Sequence, residues 1–190
     1  MKKKTAFTLA ETLIALVMIG VIAAMVIPIL LQGIIQDQYR TALKKSISIL
    51  SQAIAMHYVI DHTKVGDYQT VQELSEGLFQ KRLNVMKVGA GNNYIGEGSA
   101  AYTIQTVDGI SFAFKLENPS ACDNDTIPCY TVYIDVNGDK KPNTLTTDTK
   151  KLKDGFTATL YDQKVVAGSA GDTATAELMY RETSDLSGRI

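Results

Sequence analysis

One carboxylate, Glu11, stands at the head of an apolar run from Thr12 to Leu31 that carries no other charge. An ionised side chain in or beside hydrocarbon is costly and calls for a partner or a task. The chemistry it offers is ionic: it can hold an ammonium next to an apolar helix. A second cluster is Asp135-Val-Asn-Gly-Asp-Lys-Lys-Pro-Asn143, in which Asp135, Asn137 and Asp139 alternate like the first oxygen ligands of an EF-hand-like calcium loop, with Asn143 in ninth place. Lys140 stands where that loop needs its turn glycine and Thr146 where it needs a bidentate Glu, and Lys140, Lys141, Lys150, Lys151 and Lys153 would repel a cation. The competing reading is a plain turn, since Asn137-Gly138 is a strong turn dipeptide and Pro142 stops strand pairing.

Cys122 and Cys129 enclose six residues. In an oxidising compartment two cysteines at this distance read as a disulfide closing a small loop, which contributes about 2–3 kcal/mol through the unfolded state. Redox or zinc chemistry is poorly served, because the spacing is not Cys-x-x-Cys and both histidines lie far upstream. His57 and His62 are five residues apart, share no helix face as a metal pair would, and read as residues that cap or decorate a helix end. The chain has no Gly-x-Ser-x-Gly, no His-Glu-x-x-His and no phosphate-cradling loop, so no catalytic residues are assigned and no enzyme is expected.

The elements that must position these groups begin with the apolar run. Leu13 to Leu31 is nineteen residues without charge, about 28 Å of helix at 1.5 Å per residue, which matches a hydrocarbon core of about 30 Å. Lys2, Lys3 and Lys4 would keep the N-terminus in the cytoplasm and send the rest across. A cleaved secretory signal fits badly: the run is long, Glu11 sits near its start, and no Ala-x-Ala follows Leu31. Ala6 is the small residue at a plausible cut, and cleavage there would remove the lysines and retain the helix.

The stretch Lys-Thr-Ala6-Phe7-Thr-Leu-Ala-Glu11-Thr-Leu-Ile-Ala-Leu resembles the start of type IV prepilins and of the pseudopilins of type II secretion. The resemblance implies that a membrane-embedded prepilin peptidase cuts between Ala6 and Phe7 and methylates the new amine of Phe7. It further implies that Glu11 is the assembly glutamate, and that Pro28 is the helix-kinking proline many members carry. Ala6 replaces the usual Gly and Ala10 a usually larger aliphatic; alanine is small enough for processing to survive. The motif covers about the first thirty residues. The physics agrees, since the amine freed at Phe7 could pair with a neighbour's Glu11; a signal anchor whose Glu11 snorkels to the interface is the plainer alternative.

Leu43, Ile47, Leu50 and Ile54 then follow at helical spacing, so the helix is expected to continue to about Ile60 as a rod of about 80 Å, kinked or locally melted around Pro28 and Gly33. Thr70-Val-Gln-Glu73 is a capping box opening a short helix through Leu83, and Gly89 to Ser99 reads as an irregular loop. Strands are expected over Ala101 to Val107 and Ile110 to Leu116 around a two-residue Asp108-Gly109 turn, over Tyr130 to Val136 as a half-buried strand, and over Phe156 to Tyr161 and Lys164 to Ala167. Beyond Gly168 only Ala174 to Tyr180 shows a period. The fold class is α+β: a long N-terminal helix, half transmembrane and half amphipathic, on a small antiparallel sheet, a pilin-like head. The division is 1–6 leader, 7–31 membrane and assembly helix, 32–60 amphipathic continuation, and 61–190 globular head.

Lys+Arg number 19 against Asp+Glu 20; without Lys2, Lys3 and Lys4 the balance is 16 against 20 and gives no reason to expect nucleic-acid binding outside a DNA-uptake pilus. The expected role is a filament subunit in the bacterial inner membrane, with an exported head, that passes into a periplasmic or extracellular filament. Its expected partners are copies of itself, other pilins, the prepilin peptidase and the inner-membrane assembly platform, and Ala15, Gly20, Ala23 and Ala24 would let helices approach closely. No cofactor is expected apart from the calcium reading of Asp135 to Asn143. The rival is a minor or tip pilin whose head binds a surface, DNA or a secreted substrate; a membrane-anchored exported enzyme is a third reading.

Overall fold

The computed structural model describes residues 8–90, 102–116, 129–138, 140–169 and 172–180. Helix α1 (Leu9–Asp61) runs for 53 residues, as an apolar run followed by an amphipathic stripe predicts. It passes through Pro28 and Gly33 as one helix, so the expected local melt does not occur. Proline removes one N–H and crowds one carbonyl, and the turns on either side keep the chain helical.

Two compact units divide the chain, Met1–Gln38 and Tyr39–Ile190. In the first, α1 is apolar on every face from Leu13 to Leu31, and Leu16, Ile22, Met25 and Ile29 stand exposed. A helix apolar all round is suited to a core or to lipid. Among the described residues α1 is the one helix long and apolar enough to cross a membrane.

In the second unit the rest of α1 is amphipathic. Leu43, Ile47, Leu50 and Ile54, the stripe read from spacing, are all buried. The helix stops at His62, whose φ of 55° is left-handed and whose N–H reaches the Tyr58 carbonyl at 3.1 Å, the αL type of helix ending. A short 3-10 turn (Val65–Asp67) leads to α2 (Val71–Leu74), a π-helical turn (Ser75–Phe79) and α3 (Gln80–Arg82). Thr70 Oγ1 accepts the Glu73 N–H at 3.2 Å as the capping box predicts, but Glu73 returns its carboxylate to the N–H of Gln69, one residue earlier than a closed box requires.

The sheet has six antiparallel strands in sequential order: β1 (Val85–Ala90), β2 (Tyr102–Thr106), β3 (Ser111–Leu116), β4 (Tyr130–Asp135), β5 (Gly155–Leu160) and β6 (Val165–Ala167). This is the expected meander, with β1 as an addition: Gly89 and Ala90, expected in a loop, belong to it. The β2–β3 connection also differs. Thr106 N–H bonds the Ile110 carbonyl and Gly109 N–H the Thr106 carbonyl, both at 2.9 Å, with Gly109 at φ 87°. That is a three-residue loop ending in a left-handed glycine rather than a two-residue turn.

One sheet face meets the α1 stripe. Ile104, Phe112, Phe114, Val132, Ile134 and Phe156 are buried there, and the Phe79 and Phe114 rings stack at 4.6 Å. The other face was expected to be solvated, yet Thr131, Tyr133 and Asp135 are buried, so β4 is enclosed on both sides. Leu145 packs on Ala113 and Tyr133, and helix α4 (Thr173–Tyr180) contacts β5 and β6. Thr157 donates to Asp172 at 2.6 Å, and Asp172 also accepts the Thr175 hydroxyl at 2.7 Å, so threonines on this face are satisfied by side chains rather than by water.

Candidate functional site

Glu11 lies in the first turn of α1. Its Oε2 accepts the Thr8 N–H at 2.8 Å and the Thr8 hydroxyl at 2.9 Å, while the Glu11 N–H reaches Thr8 Oγ1 at 3.3 Å. Thr8-Leu-Ala-Glu11 is therefore a capping box, which the Thr-x-x-Glu spacing of the sequence carries. A carboxylate offers about four lone-pair sites, so the cap leaves acceptor capacity for a cation. Both side chains are exposed, and the large apolar residues that follow are exposed too. Ala6 and Phe7 lie outside the described residues. Pro28 is exposed within α1; Ala15, Gly20 and Ala24 are exposed, Ala23 is half-buried, and a Cβ built on Gly20 meets nothing within 4 Å.

The second cluster is organised by a residue that the sequence reading did not single out. Asp154, fully buried, accepts the Asn137 side-chain amide at 3.0 Å, the Asn143 N–H at 2.7 Å and the Thr144 N–H at 2.9 Å. Asp135 Oδ1 accepts the Asn137 N–H at 3.1 Å, and Asn143 takes a left-handed φ of 49°. Among the described residues the buried Oδ1 atoms of Asn137 and Asn143 have no hydrogen-bond partner. Asp139 lies outside the described residues. Asp135 thus bonds Asn137 directly, and Asn137 and Asn143 meet on Asp154, a carboxylate that braces the loop from ten to seventeen residues away. Among the described residues no three His, Cys, Asp or Glu side chains converge as a metal centre.

Cys129 is buried just before β4 and is disulfide-bonded; Cys122 lies outside the described residues.

His57 departs from expectation. It is 1% exposed, its Nε2 is 2.7 Å from Thr63 Oγ1 and 2.9 Å from the Tyr68 hydroxyl, and its Nδ1 is 2.8 Å from Asp61 Oδ2. The Nδ1–Asp61 approach is an ionic distance without the alignment of a hydrogen bond. Arg82 holds the same Asp61 oxygen at 2.5 Å and pulls its carboxyl below the usual range. Burial, the largest effect, pushes the imidazole below its ordinary 6.5, against the attraction of Asp61. His57 is a buried hub, whereas His62 is exposed.

No family model, no curated protein and no solved structure matches this chain.

A hollow of about 340 Å³ lies between Ile49, Leu83, Asn84, Thr106, Val107 and Asp108. Its one charged group, Asp108, is engaged by Lys45 at 2.6 Å and by the Thr106 hydroxyl. What the described residues do present is an acid at the head of an exposed apolar helix.

Proposed function

We propose that this protein is a structural subunit of a type IV pilus or of a type II secretion pseudopilus. The observation that carries the reading is Glu11, the single charge of its stretch, at the start of an exposed helix apolar enough to cross a membrane. Prepilin peptidase cuts between Ala6 and Phe7 and methylates the Phe7 amine. The subunit waits in the inner membrane with its sheet domain exported, and the assembly platform passes it into a filament. There the Phe7 ammonium of an incoming subunit meets Glu11 of its neighbour, whose carboxylate Thr8 already orients. An ion pair in a water-poor setting strands one charge when its partner is missing, so correct axial register is favoured. Small residues at Ala15, Gly20 and Ala24 support close helix packing.

The test is processing and assembly together. Mass spectrometry of the mature protein is expected to give an N-terminal methylated Phe7, and a start at Met1 or beyond Leu31 would overturn the reading. Glu11→Ala is expected to leave membrane insertion and head folding intact while sheared filaments fall at least about tenfold, the loss that a single stranded buried charge predicts; wild-type filament yield would remove Glu11 from assembly.

A further inference from the structure

We propose that the lysine-rich loop 139–154 is a docking platform for anionic phospholipid headgroups. The proposal rests on the reading of the apolar run as a membrane segment and not on filament assembly.

Five lysines, Lys140, Lys141, Lys150, Lys151 and Lys153, stand exposed on this one loop. Of the 19 Lys+Arg and 20 Asp+Glu in the chain the loop holds five and three, so the remainder is acidic on balance, 14 against 17. Among the described residues none of the five lysines forms an ion pair, whereas Lys45 and Lys64 elsewhere in the second unit do. Of the two aspartates of the loop that are described, Asp154 is buried and spent on Asn137, Asn143 and Thr144, and Asp148 accepts the Lys150 N–H at 2.8 Å. Like charges gathered in this way repel one another, and an anionic surface relieves the repulsion.

The lysines are carried on a braced backbone rather than a free tail. Thr146 Oγ1 accepts the Lys153 N–H at 2.9 Å and donates to the Lys153 carbonyl at 3.1 Å, the Gly155 N–H bonds the Thr144 carbonyl at 3.0 Å, and Leu152 is buried. Docking therefore orders little beyond the lysine side chains themselves. No aromatic residue lies between Asp139 and Asp154, so the loop offers no stacking surface for nucleic-acid bases. Compact ammonium charges of this kind suit phosphate headgroups.

Position supplies the source of those headgroups. The loop leaves β4 at the end of the sheet that carries the β2–β3 connection: a Cβ on Gly138 would lie 2.5 Å from the Gly109 carbonyl, and Lys45 of α1 pairs with Asp108 beside it. Lys164 is exposed at the opposite end, past the pairing of Leu160 with Tyr130. Lys45 follows Leu31 by fourteen residues, so this end of the second unit stays tethered close to any bilayer the apolar run enters. Clusters of lysine beside a membrane helix are drawn to anionic lipid over about a Debye length.

The experiment places the full chain in nanodiscs of phosphatidylcholine alone and of equal parts phosphatidylcholine and phosphatidylglycerol. The acetylation rate of each lysine with an uncharged reagent is read by mass spectrometry. In the anionic discs the five loop lysines are expected to react at least about threefold more slowly than in the zwitterionic ones, with Lys164 unchanged. Raising NaCl to about 0.5 M is expected to remove the difference. Lys150→Glu combined with Lys151→Glu, both at exposed positions, is expected to cut the slowing at Lys140, Lys141 and Lys153 to less than half. Equal rates in the two discs, or slowing that extends to Lys164 or survives the double reversal, would overturn the platform. Inorganic phosphate or duplex DNA that slows the same lysines in phosphatidylcholine discs as strongly would overturn lipid as its ligand. A chain that enters neither disc would overturn the membrane segment, and the platform with it.

Discussion

Asp154 and Glu11 are both carboxylates that accept backbone N–H groups, yet only Asp154 is buried. The difference sets what each can do. Glu11 spends one oxygen on Thr8 and faces outward, so it keeps capacity for a new partner. Asp154 spends both oxygens inside its own loop, two donors on Oδ2 and one on Oδ1. Hydrogen bonds to a charged group contribute about 1.5–3 kcal/mol, and buried donors that lose their acceptor cost a similar amount. Asp154→Ala is accordingly expected to destabilise the second unit by about 3 kcal/mol, read as a lower urea midpoint with an unchanged slope. A loss below about 1 kcal/mol would mean that water replaces the carboxylate and that the loop is held by other contacts.

At the scale of elements, two glycines separate conformational strain from steric conflict. Gly109 ends the β2–β3 loop at φ 87° with nothing within 4 Å of a built Cβ, whereas Gly138, in the turn after β4, stands at φ 67° with a Cβ that would lie 2.5 Å from the Gly109 carbonyl and 2.9 Å from Gln105 Nε2. Gly109→Ala is expected to cost about 1–2 kcal/mol, the left-handed penalty alone. Gly138→Ala adds a backbone clash and is expected to cost at least about 2 kcal/mol more; equal melting temperatures for the two variants would refute the close approach of these turns. The sequence shows why some elements were legible and others not. The α1 stripe and the strands around Asp108-Gly109 announce themselves through period. The strand Val85–Ala90 does not, because Met86, Lys87 and Gly89 have little strand preference, and its pairing with β2 alone makes it a strand. Thr131, Tyr133 and Asp135 look like a solvated face, and only the packing of Leu145 and α4 on the sheet shows otherwise. The same holds for the sites: Glu11 is visible as a lone charge, and its Thr8 cap could have been read from Thr-x-x-Glu. The contacts of Asp154 with Asn137 and of Arg82 with Asp61 join residues 17 and 21 apart and leave no local trace.

For the whole molecule, the decisive fact is where the core begins. Among the described residues every buried apolar residue of the main core lies at or beyond Leu43, whereas the exposed large apolar side chains are densest from Leu9 to Ile35 and only scattered beyond it, as at Val59, Met86 and Val107. The unit Tyr39–Ile190 therefore holds a complete α+β core, with residues 39–61 of α1 covering the sheet face. Cutting the helix at residue 39 exposes four N–H groups of its new first turn, which water can satisfy, and removes no core side chain. The fragment 39–190, produced under oxidising conditions to preserve the Cys129 disulfide, is expected to be soluble without detergent and to unfold in urea as a single transition. Its urea midpoint should match that of the second unit in the full chain, because distant, independent parts contribute additively. Aggregation, or a transition broader than that of the full chain in micelles, would show that residues 1–38 complete the fold. A cooperative, soluble fragment would instead show that the second unit folds without residues 1–38.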